Sequence, residues 1–260
     1  MFHCDRVLPD VCHIRDALDV CVTLITGRER ALLVDTGYGL EDLGAFIGSL
    51  TDLPYDVLLT HGHHDHALGS RFFPRVLALA GEEDVFRTYT TLARREKVLD
   101  NAAGRGAPVD REAFLRAPMP PVALVNPGPV DLGGLIAEVI ACPGHTPGSA
   151  VVYVPQRKLL LTGDDWNPVT WLFFPEALPF KAYQENVRGL LALPFEHVLC
   201  SHRPGLFPRE IFESFVAGLT DGAARSARPC DTGRAMGIDT VEMALPHGQV
   251  LVFDRQKAAL

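Results

Sequence analysis

The sequence lacks the features that mark secreted and membrane-inserted proteins. Its six cysteines are scattered along the chain, with no Cys-x-x-Cys pair and no dense disulfide spacing. No uncharged apolar stretch approaches the roughly 18 residues that span a bilayer. The N-terminal residues carry no basic segment followed by an apolar run. We therefore expect a cytoplasmic protein with reduced thiols that does not enter a membrane.

Basic residues are also too few for a protein that binds a phosphate backbone. Lys and Arg number 24 against 32 Asp and Glu, which gives a formal net charge of -8. Nucleic acid is therefore not an expected partner, and we expect a small-molecule substrate. The hydrophobic fraction of 47% is ordinary for a folded globular protein. Composition does not indicate the oligomeric state.

Short apolar runs and helical patterns follow one another along the chain, which favours an α/β layered architecture. Strands are predicted at 19–26, 30–35, 56–60, 75–80, 135–142, 149–154, 158–162, 197–200 and 250–254, and helices at 40–50, 81–100, 182–193 and 209–219. At 260 residues the chain is expected to be one domain, 1–260. Residues 82–120 are interpreted as an insertion or lid within it, since 101–121 is rich in Ala, Gly and Pro and has no clear period.

The most informative motif is the run Thr60-His61-Gly62-His63-His64-Asp65-His66. It follows a predicted buried strand, where a strand-to-helix loop gathers side chains at a sheet edge. If His61 and His63 continue the extended direction, their imidazoles point to one side, while Asp65 and His66 face a neighbouring position. One loop can then serve two metals.

Further ligands must come from elsewhere, because a single loop rarely completes a metal shell that keeps an open position for water. Three candidates follow predicted strands. His145 lies in Pro143-Gly144-His145-Thr146-Pro147-Gly148, Asp164 ends Leu161-Thr162-Gly163-Asp164, and His202 ends Leu199-Cys200-Ser201-His202.

The complete pattern, His-x-His-x-Asp-His followed by separate His, Asp and His residues, resembles that of the metallo-β-lactamase superfamily. The resemblance covers nearly the whole chain, from Asp35-Thr36-Gly37 to His202. It implies an α/β (α+β) fold, a four-layer αββα sandwich with two metals at one edge between the sheets. It also implies the ligands: His61, His63 and His145 for the first metal, Asp65, His66 and His202 for the second, and Asp164 as the bridge.

The implied activity is a metal-dependent hydrolase in which a hydroxide shared by two divalent cations attacks an ester, thioester, lactone or amide of a small molecule. Asp65 would be both a ligand and a catalytic residue that orients the hydroxide and passes a proton to the leaving group. Zinc is the first expectation for the metals, although iron and manganese accept similar donors. The motif resembles that of hydroxyacylglutathione hydrolases, related thioesterases and acyl-homoserine lactonases. The alternatives are a phosphodiester or sulfate ester hydrolase of the same fold and a non-catalytic metal-binding module.

Residues near the ligands have two interpretations each. Asp35 and Thr60 could orient ligands, or Asp35 could cap a turn. His64 is expected to face solvent or substrate, and Cys142 and Cys200 are expected to be buried. The segment 165–174 could be core or the wall of an apolar pocket. In the second interpretation the substrate contacts are Trp166, Trp171 and Phe174.

Overall fold

The computed structural model describes residues 1–107 and 109–258, and the strands of this part form three sheets. In chain order they are β1 His3–Leu8, β2 Val11–Arg15, β3 Cys21–Thr26, β4 Ala31–Val34, β5 Tyr55–Leu58, β6 Val76–Leu79, β7 Val122–Val125, β8 Gly128–Asp131, β9 Ile136–Ala141, β10 Ala150–Val154, β11 Leu159–Leu161, β12 Val169–Leu172, β13 His197–Cys200, β14 Arg203–Pro208, β15 Arg228–Cys230, β16 Thr240–Ala244 and β17 Val250–Asp254. The sheet orders are β1-β2-β3-β4-β5-β6-β7, β14-β13-β11-β10-β9-β8 and β12-β17-β16-β15.

The helices lie mainly on the outer faces of the two larger sheets. They are α1 Leu43–Leu50, α2 His64–Ala67, α3 Glu82–Tyr89, α4 Leu92–Gly104, α5 Arg111–Arg116, α6 Phe180–Gly189, α7 Arg209–Gly218 and α8 Asp221–Arg225. Asp42 begins α1 by accepting a hydrogen bond from the Ala45 amide at 2.9 Å, and Leu43 and Ile47 are its buried stripe. Within residues 1–107 and 109–258, no helix has the length and apolar character needed to cross a membrane.

The first two sheets pack face to face and bury an aliphatic core between them. Ile25, Val34 and Leu58 of the first sheet share a cluster with Val152 and Leu161 of the second. A separate cluster under α1 covers the other face of the first sheet, and a third under α6 and α7 covers the other face of the second. Helix, sheet, sheet and helix therefore form the layers, which confirms the expected α/β four-layer sandwich.

Strand direction brings several loops to one edge of this sandwich. β4 and β5 run parallel in the first sheet, and β11 and β13 run parallel in the second. The loops after β5, β11 and β13 carry the histidine run, Asp164 and His202, respectively. A hydrogen bond of 2.8 Å from the Ala150 amide to the Thr60 carbonyl joins the two sheets at this edge. The loops that hold the predicted ligands therefore converge.

The third sheet was not predicted. The expected closing strand at 250–254 exists as β17, but it pairs in parallel with β12 and antiparallel with β16. Leu251 and Phe253 of β17 are buried with Phe180 of α6 and Phe212 of α7. This small sheet therefore belongs to the outer layer over the second sheet, and β12 was missed because 165–174 was interpreted as an irregular loop.

In the described part of 82–120 there are three helices, where the sequence predicted one charged helix over 81–100. The predicted helix at 81–100 breaks at Thr90 and Thr91, where the Thr90 hydroxyl donates to the Phe86 carbonyl at 2.7 Å. β-branched threonine side chains that bond backbone groups compete with helix continuation. Phe114 of α5 is buried with Val98 of α4. These helices are therefore packed against Leu18, Leu40 and Leu68, which belong to connections of the sandwich.

Candidate metal centre

The histidine run bridges the end of β5 and the start of α2. His61 and His63 lie in the extended link, and both are buried. Gly62 between them is packed so tightly that a Cβ atom there would overlap the backbone of Phe86 in α3. The absence of a side chain at this position lets the loop lie against the helix.

The first cluster consists of three imidazoles. His61, His63 and His145 each place one nitrogen so that the three atoms lie within 4.8 Å of one another. His145 Nε2 is 2.9 Å from His63 Nδ1. Three histidines that leave a fourth position open are the donor set of many catalytic zinc sites. The cluster can therefore hold one divalent cation.

The second cluster contains two carboxylates and two imidazoles. Asp65, His66, Asp164 and His202 also offer ligand atoms within 4.8 Å of one another. His202 Nε2 is 3.0 Å from Asp164 Oδ2, and His66 Nε2 is 3.5 Å from Asp164 Oδ1. Asp164 Oδ2 also lies 3.7 Å from His145 Nε2 of the first cluster. Asp164 thus lies between the two clusters, where a bridging ligand would be.

Two buried nitrogen atoms indicate that these clusters fit cations. His61 Nε2 and His66 Nε2 have no hydrogen-bond partner in the part of the chain that the structure describes. A buried polar atom without a partner is costly, typically about 1–3 kcal/mol. One such atom occurs in each cluster, on the side where the other donors converge. A cation at each position would satisfy both atoms.

The outer nitrogen of His66 is held by a buried carboxylate. Asp35 Oδ2 lies 2.9 Å from His66 Nδ1, and Asp35 also accepts hydrogen bonds from the Thr60 amide at 2.7 Å and the Thr60 hydroxyl at 2.8 Å. The Thr60 hydroxyl is 3.1 Å from His61 Nδ1. Asp35 has a positive φ of 65°, a conformation that non-glycine residues adopt at a cost. Between the two interpretations of Asp35, these contacts favour ligand orientation over a turn cap.

The other two histidines of the first cluster are held by residues from 171–176. His145 Nδ1 lies 2.7 Å from the Trp171 carbonyl. His63 Nε2 lies 2.5 Å from Glu176 Oε1. In both residues the nitrogen that faces away from the cluster has a hydrogen-bond acceptor, so the nitrogen that faces the cluster is the one left free for a cation.

Burial disfavours the charged form of two histidines of the first cluster. Desolvation, followed by neighbouring histidine charge, holds the pKa of His61 well below its usual range and lowers the pKa of His145 to about 4. Neutral imidazoles retain the lone pair that a metal needs. The electrostatics of the first cluster therefore suit cation binding at neutral pH.

The carboxylates give the second cluster a negative electrostatic potential. Burial alone would raise the pKa of Asp65, but positive charge on His66, His64 and His202 lowers it to about 2. Burial also opposes protonation of His66, yet Asp164, Asp35 and Asp65 raise its pKa well above the usual range. The cluster thus attracts positive charge, which a divalent cation would supply in place of protons.

Glu82 links the loops of the two sequence motifs, and no sequence signal identified it. It is fully buried at the start of α3. Its Oε2 accepts from the Gly62 amide at 2.7 Å, and its Oε1 accepts from the Thr146 hydroxyl at 2.5 Å and the Gly148 amide at 2.8 Å. Burial raises the pKa of Glu82, and these hydrogen bonds oppose the shift. An acidic residue in the first turn of a helix is too common to signal such a role.

Aromatic residues form one wall beside the first cluster. The rings of Tyr89 and Phe174 lie 4.3 Å and 4.6 Å from the ring of His63. Trp171 contacts Phe174 and is 44% exposed, so its indole is available to a ligand. His64 lies on the same side, with its ring 6.0 Å from Tyr89. Tyr89 was missed because a tyrosine within a charged helix has no distinguishing pattern.

Trp166 is a core residue, so its assignment to the substrate wall was wrong. Its side chain is fully buried and contacts Phe207 and Phe212 on the outer side of the second sheet. Its Nε1 donates to Gln249 Oε1 at 2.9 Å. Cys142 and Cys200 are buried as predicted. Trp166 is therefore core, and a role of Trp171 and Phe174 in a substrate wall stays a prediction.

Comparison with known proteins identifies the class. Residues 15–164 match the family model of the metallo-beta-lactamase superfamily, and the chain belongs to that superfamily. It is a metallo-hydrolase with the family's sandwich fold.

The individual proteins that the chain resembles differ from it at most aligned positions. The chain is 30% identical over 207 residues to the acyl-coenzyme A thioesterase MBLAC2 of Homo sapiens, covering 70% of this chain and 72% of the relative. The sec-alkylsulfatase Pisa1 of Pseudomonas sp. has a similar structure, with a TM-score of 0.65, 19% identity and coverage of 85% and 41% of the two chains. TTHA1623, solved in a di-iron-bound form, has a TM-score of 0.55, 25% identity and coverage of 75% and 92%.

Proposed function

We propose that this protein is a thioesterase that hydrolyses acyl-coenzyme A or a similar small-molecule thioester with two divalent cations. The observation that carries this proposal is the pair of donor clusters, each with a buried, unpartnered histidine nitrogen facing the other donors. The similarity to MBLAC2 over most of both chains supports a thioester substrate. The aromatic wall formed by Tyr89, Trp171 and Phe174 supports an apolar acyl group next to the reacting carbon.

Each cluster would hold one of the two cations. His61, His63 and His145 would hold the first, and Asp65, His66 and His202 the second, with Asp164 between them. Zinc suits these donors, and iron is the alternative because TTHA1623 was solved in a di-iron-bound form. Cations in these positions would lower the pKa of a water between them towards neutrality and stabilise negative charge on the substrate oxygen.

Asp65 is the residue that we assign to proton transfer. Its Oδ2 faces the second cluster, 3.6 Å from His202 Nε2 and 3.8 Å from His66 Nε2. Its Oδ1 lies 4.0 Å from His64 Nδ1, on the side of the site that Tyr89 borders. One oxygen can therefore remain a ligand while the carboxylate accepts the proton of the attacking water and returns it to the thiolate leaving group.

The remaining residues exclude water and orient the substrate. Tyr89 and Phe174 cover the face of His63, and Trp171 extends the wall towards solvent. Because α3 supplies Tyr89, we propose that the segment 82–120 forms a side of the pocket and acts as the expected lid. The cytoplasmic location stays a prediction.

The test is a substrate panel with defined metal content. The protein is stripped with a chelator, reloaded with zinc, iron(II) or manganese, and assayed against acyl-coenzyme A thioesters, a lactone, a β-lactam, a phosphodiester and an alkyl sulfate. We expect the highest kcat/KM for a thioester, and we expect Asp65→Asn to lose activity while it keeps the first metal. A preference for the alkyl sulfate or phosphodiester would contradict the thioester assignment. No turnover with any metal would favour a non-catalytic metal-binding module.

A further inference from the structure

We propose that Glu176 is a positioning residue for the first metal cluster, and that Lys257 near the C-terminus holds it in place. The proposal rests on the metal centre proposed above but not on the identity of the substrate. Neither residue belongs to the seven-ligand pattern, and both lie beyond residues 15–164, which match the family model.

The geometry of His63 gives Glu176 a specific role. His63 Nδ1 lies 2.9 Å from His145 Nε2, so Nδ1 is the nitrogen that faces the cluster. His63 Nε2 points away and lies 2.5 Å from Glu176 Oε1. A carboxylate at this nitrogen keeps the proton on Nε2 and leaves the Nδ1 lone pair for a cation. It also increases the electron density that the ring can donate.

The surroundings make this contact strong. The side chain of His63 is 4% exposed and that of Glu176 is 19% exposed, so little water competes for either group. The rings of Tyr89 and Phe174 cover His63. A hydrogen bond to a carboxylate gains strength where water is excluded. The contact between His63 and Glu176 therefore lies where little water reaches it.

Lys257 determines where the loop that carries Glu176 lies. Its ammonium donates to the carbonyls of Phe174 at 2.9 Å, Pro175 at 2.6 Å and Ala177 at 2.7 Å. An ammonium group has three N–H donors, and these contacts use all of them. Lys257 follows β17, so the third sheet places it. The C-terminal turn thus clamps the backbone on both sides of Glu176.

A purely structural role is the competing explanation, in which Glu176 and Lys257 only stabilise the loop. The two explanations differ in which variant loses more affinity at the first cluster. Loss of loop packing alone would also displace the Trp171 carbonyl that holds His145, so Lys257→Met would then weaken the first cluster as much as Glu176→Ala. Loss of the acceptor on His63 Nε2 would weaken the first cluster and leave the second nearly unchanged.

The experiment measures zinc affinity by competition with a chelator in the parent protein and in Glu176→Gln, Glu176→Ala and Lys257→Met. Glu185→Gln, an exposed glutamate on α6, is the matched control. Glu176→Ala is expected to weaken one of the two zinc equivalents by about tenfold to a hundredfold, as loss of an outer-shell partner does elsewhere. Glu176→Gln keeps an acceptor oxygen and is expected to lose less. Lys257→Met should also fall between Glu176→Ala and the parent, and Glu185→Gln should match the parent.

Proton NMR of the zinc-loaded protein adds a readout that is independent of activity. The exchangeable Nε2 proton of His63 should give a downfield signal in the parent that moves upfield in Glu176→Gln and is lost to exchange in Glu176→Ala. Unchanged affinity of both equivalents in Glu176→Ala overturns the proposal, and so does an equal loss of both. Zinc binding without thioester hydrolysis by the parent would contradict the proposed function alone and leave this test intact.

Discussion

Glu82 offers the sharpest test of how the two ligand loops are held together. The substitution Glu82→Gln preserves the shape of the side chain and replaces one carboxylate oxygen with an NH2 group. If the amide oxygen takes the place of Oε1, it keeps the bonds from Thr146 and Gly148. The NH2 group then faces the Gly62 amide, which is also a donor. The Gly62 N–H, between the ligands His61 and His63, is left without its acceptor.

The structure sets the expected magnitude. A buried backbone N–H that loses a charged acceptor costs about 1–3 kcal/mol. Relief from burying a charge offsets part of this cost, since burial raises the pKa of Glu82. We therefore expect Glu82→Gln to lower the free energy of unfolding by about 1–2 kcal/mol. Glu82→Ala also removes the acceptor of the Gly148 amide and should cost about 2–5 kcal/mol, although the Thr146 hydroxyl can still pair with Ser149 at 2.8 Å.

The assay is urea unfolding of the metal-free protein, with Glu83→Gln as control. Glu83 lies in the same first helical turn, so both substitutions remove the same favourable interaction with the helix dipole. Glu83 is partly exposed and accepts one hydrogen bond, from the Gly81 amide at 2.8 Å. If Glu82→Gln is no less stable than Glu83→Gln, the three hydrogen bonds do not hold the loops together and the reasoning fails.

Three further predictions concern pH, metal content and the two tryptophans. Burial lowers the pKa of His13 from 6.5 to about 4. Below pH 6.5 the unfolded chain therefore binds a proton that the folded protein excludes, and the free energy of unfolding falls as the pH drops. Between pH 7 and pH 5 this residue should cost about 2 kcal/mol, and His13→Gln should remove that part of the pH dependence in urea titrations of the metal-free protein. His61→Ala and His202→Ala should each retain about one metal equivalent by elemental analysis, because each takes a donor from a different cluster; two full equivalents in both variants would contradict the ligand assignment. Trp166→Ala should destabilise the protein by about 3–5 kcal/mol because the side chain is fully buried. Trp171→Ala should lower the free energy of unfolding by less than about 1 kcal/mol and raise KM for long acyl substrates. The reverse order of stabilities would refute the placement of the two indoles.

The ligand loops could be predicted because chemistry restricts which residues can occupy them. Few reasons other than a metal bring His61, His63, Asp65 and His66 so close together in sequence, and strand ends tell where such loops gather. The same logic located His145, Asp164 and His202, each in the loop after a strand. Apolar runs favoured a layered α/β architecture, and the resemblance to the metallo-β-lactamase superfamily implied the four-layer sandwich.

The supporting residues could not be predicted because their roles depend on contacts between distant segments. Glu82 is one of three consecutive acidic residues, and only the fold shows that it is the buried one. Trp166 and Trp171 lie five positions apart in one apolar segment. β12 begins between them and directs Trp171 towards the site, while Trp166 remains under the second sheet. Sequence patterns report the composition of such a segment but not the strand partner that orients it.

The proposed ligands and the residues that support them come from different parts of the chain. The family match ends at Asp164, so it includes every proposed ligand except His202. The acceptors for His145 and His63, the exposed indole of Trp171 and the clamp of Lys257 all come from the segments beyond it. The third sheet packs against the second sheet and holds these segments there. The segment 171–176 orients two ligands of the first cluster and also contributes Trp171 and Phe174 to the aromatic wall, so substitutions in it should alter metal affinity as well. Changes of substrate preference in this region are thus expected to be coupled to the first cluster, and so are changes at Tyr89 of α3, whose ring lies 4.3 Å from that of His63.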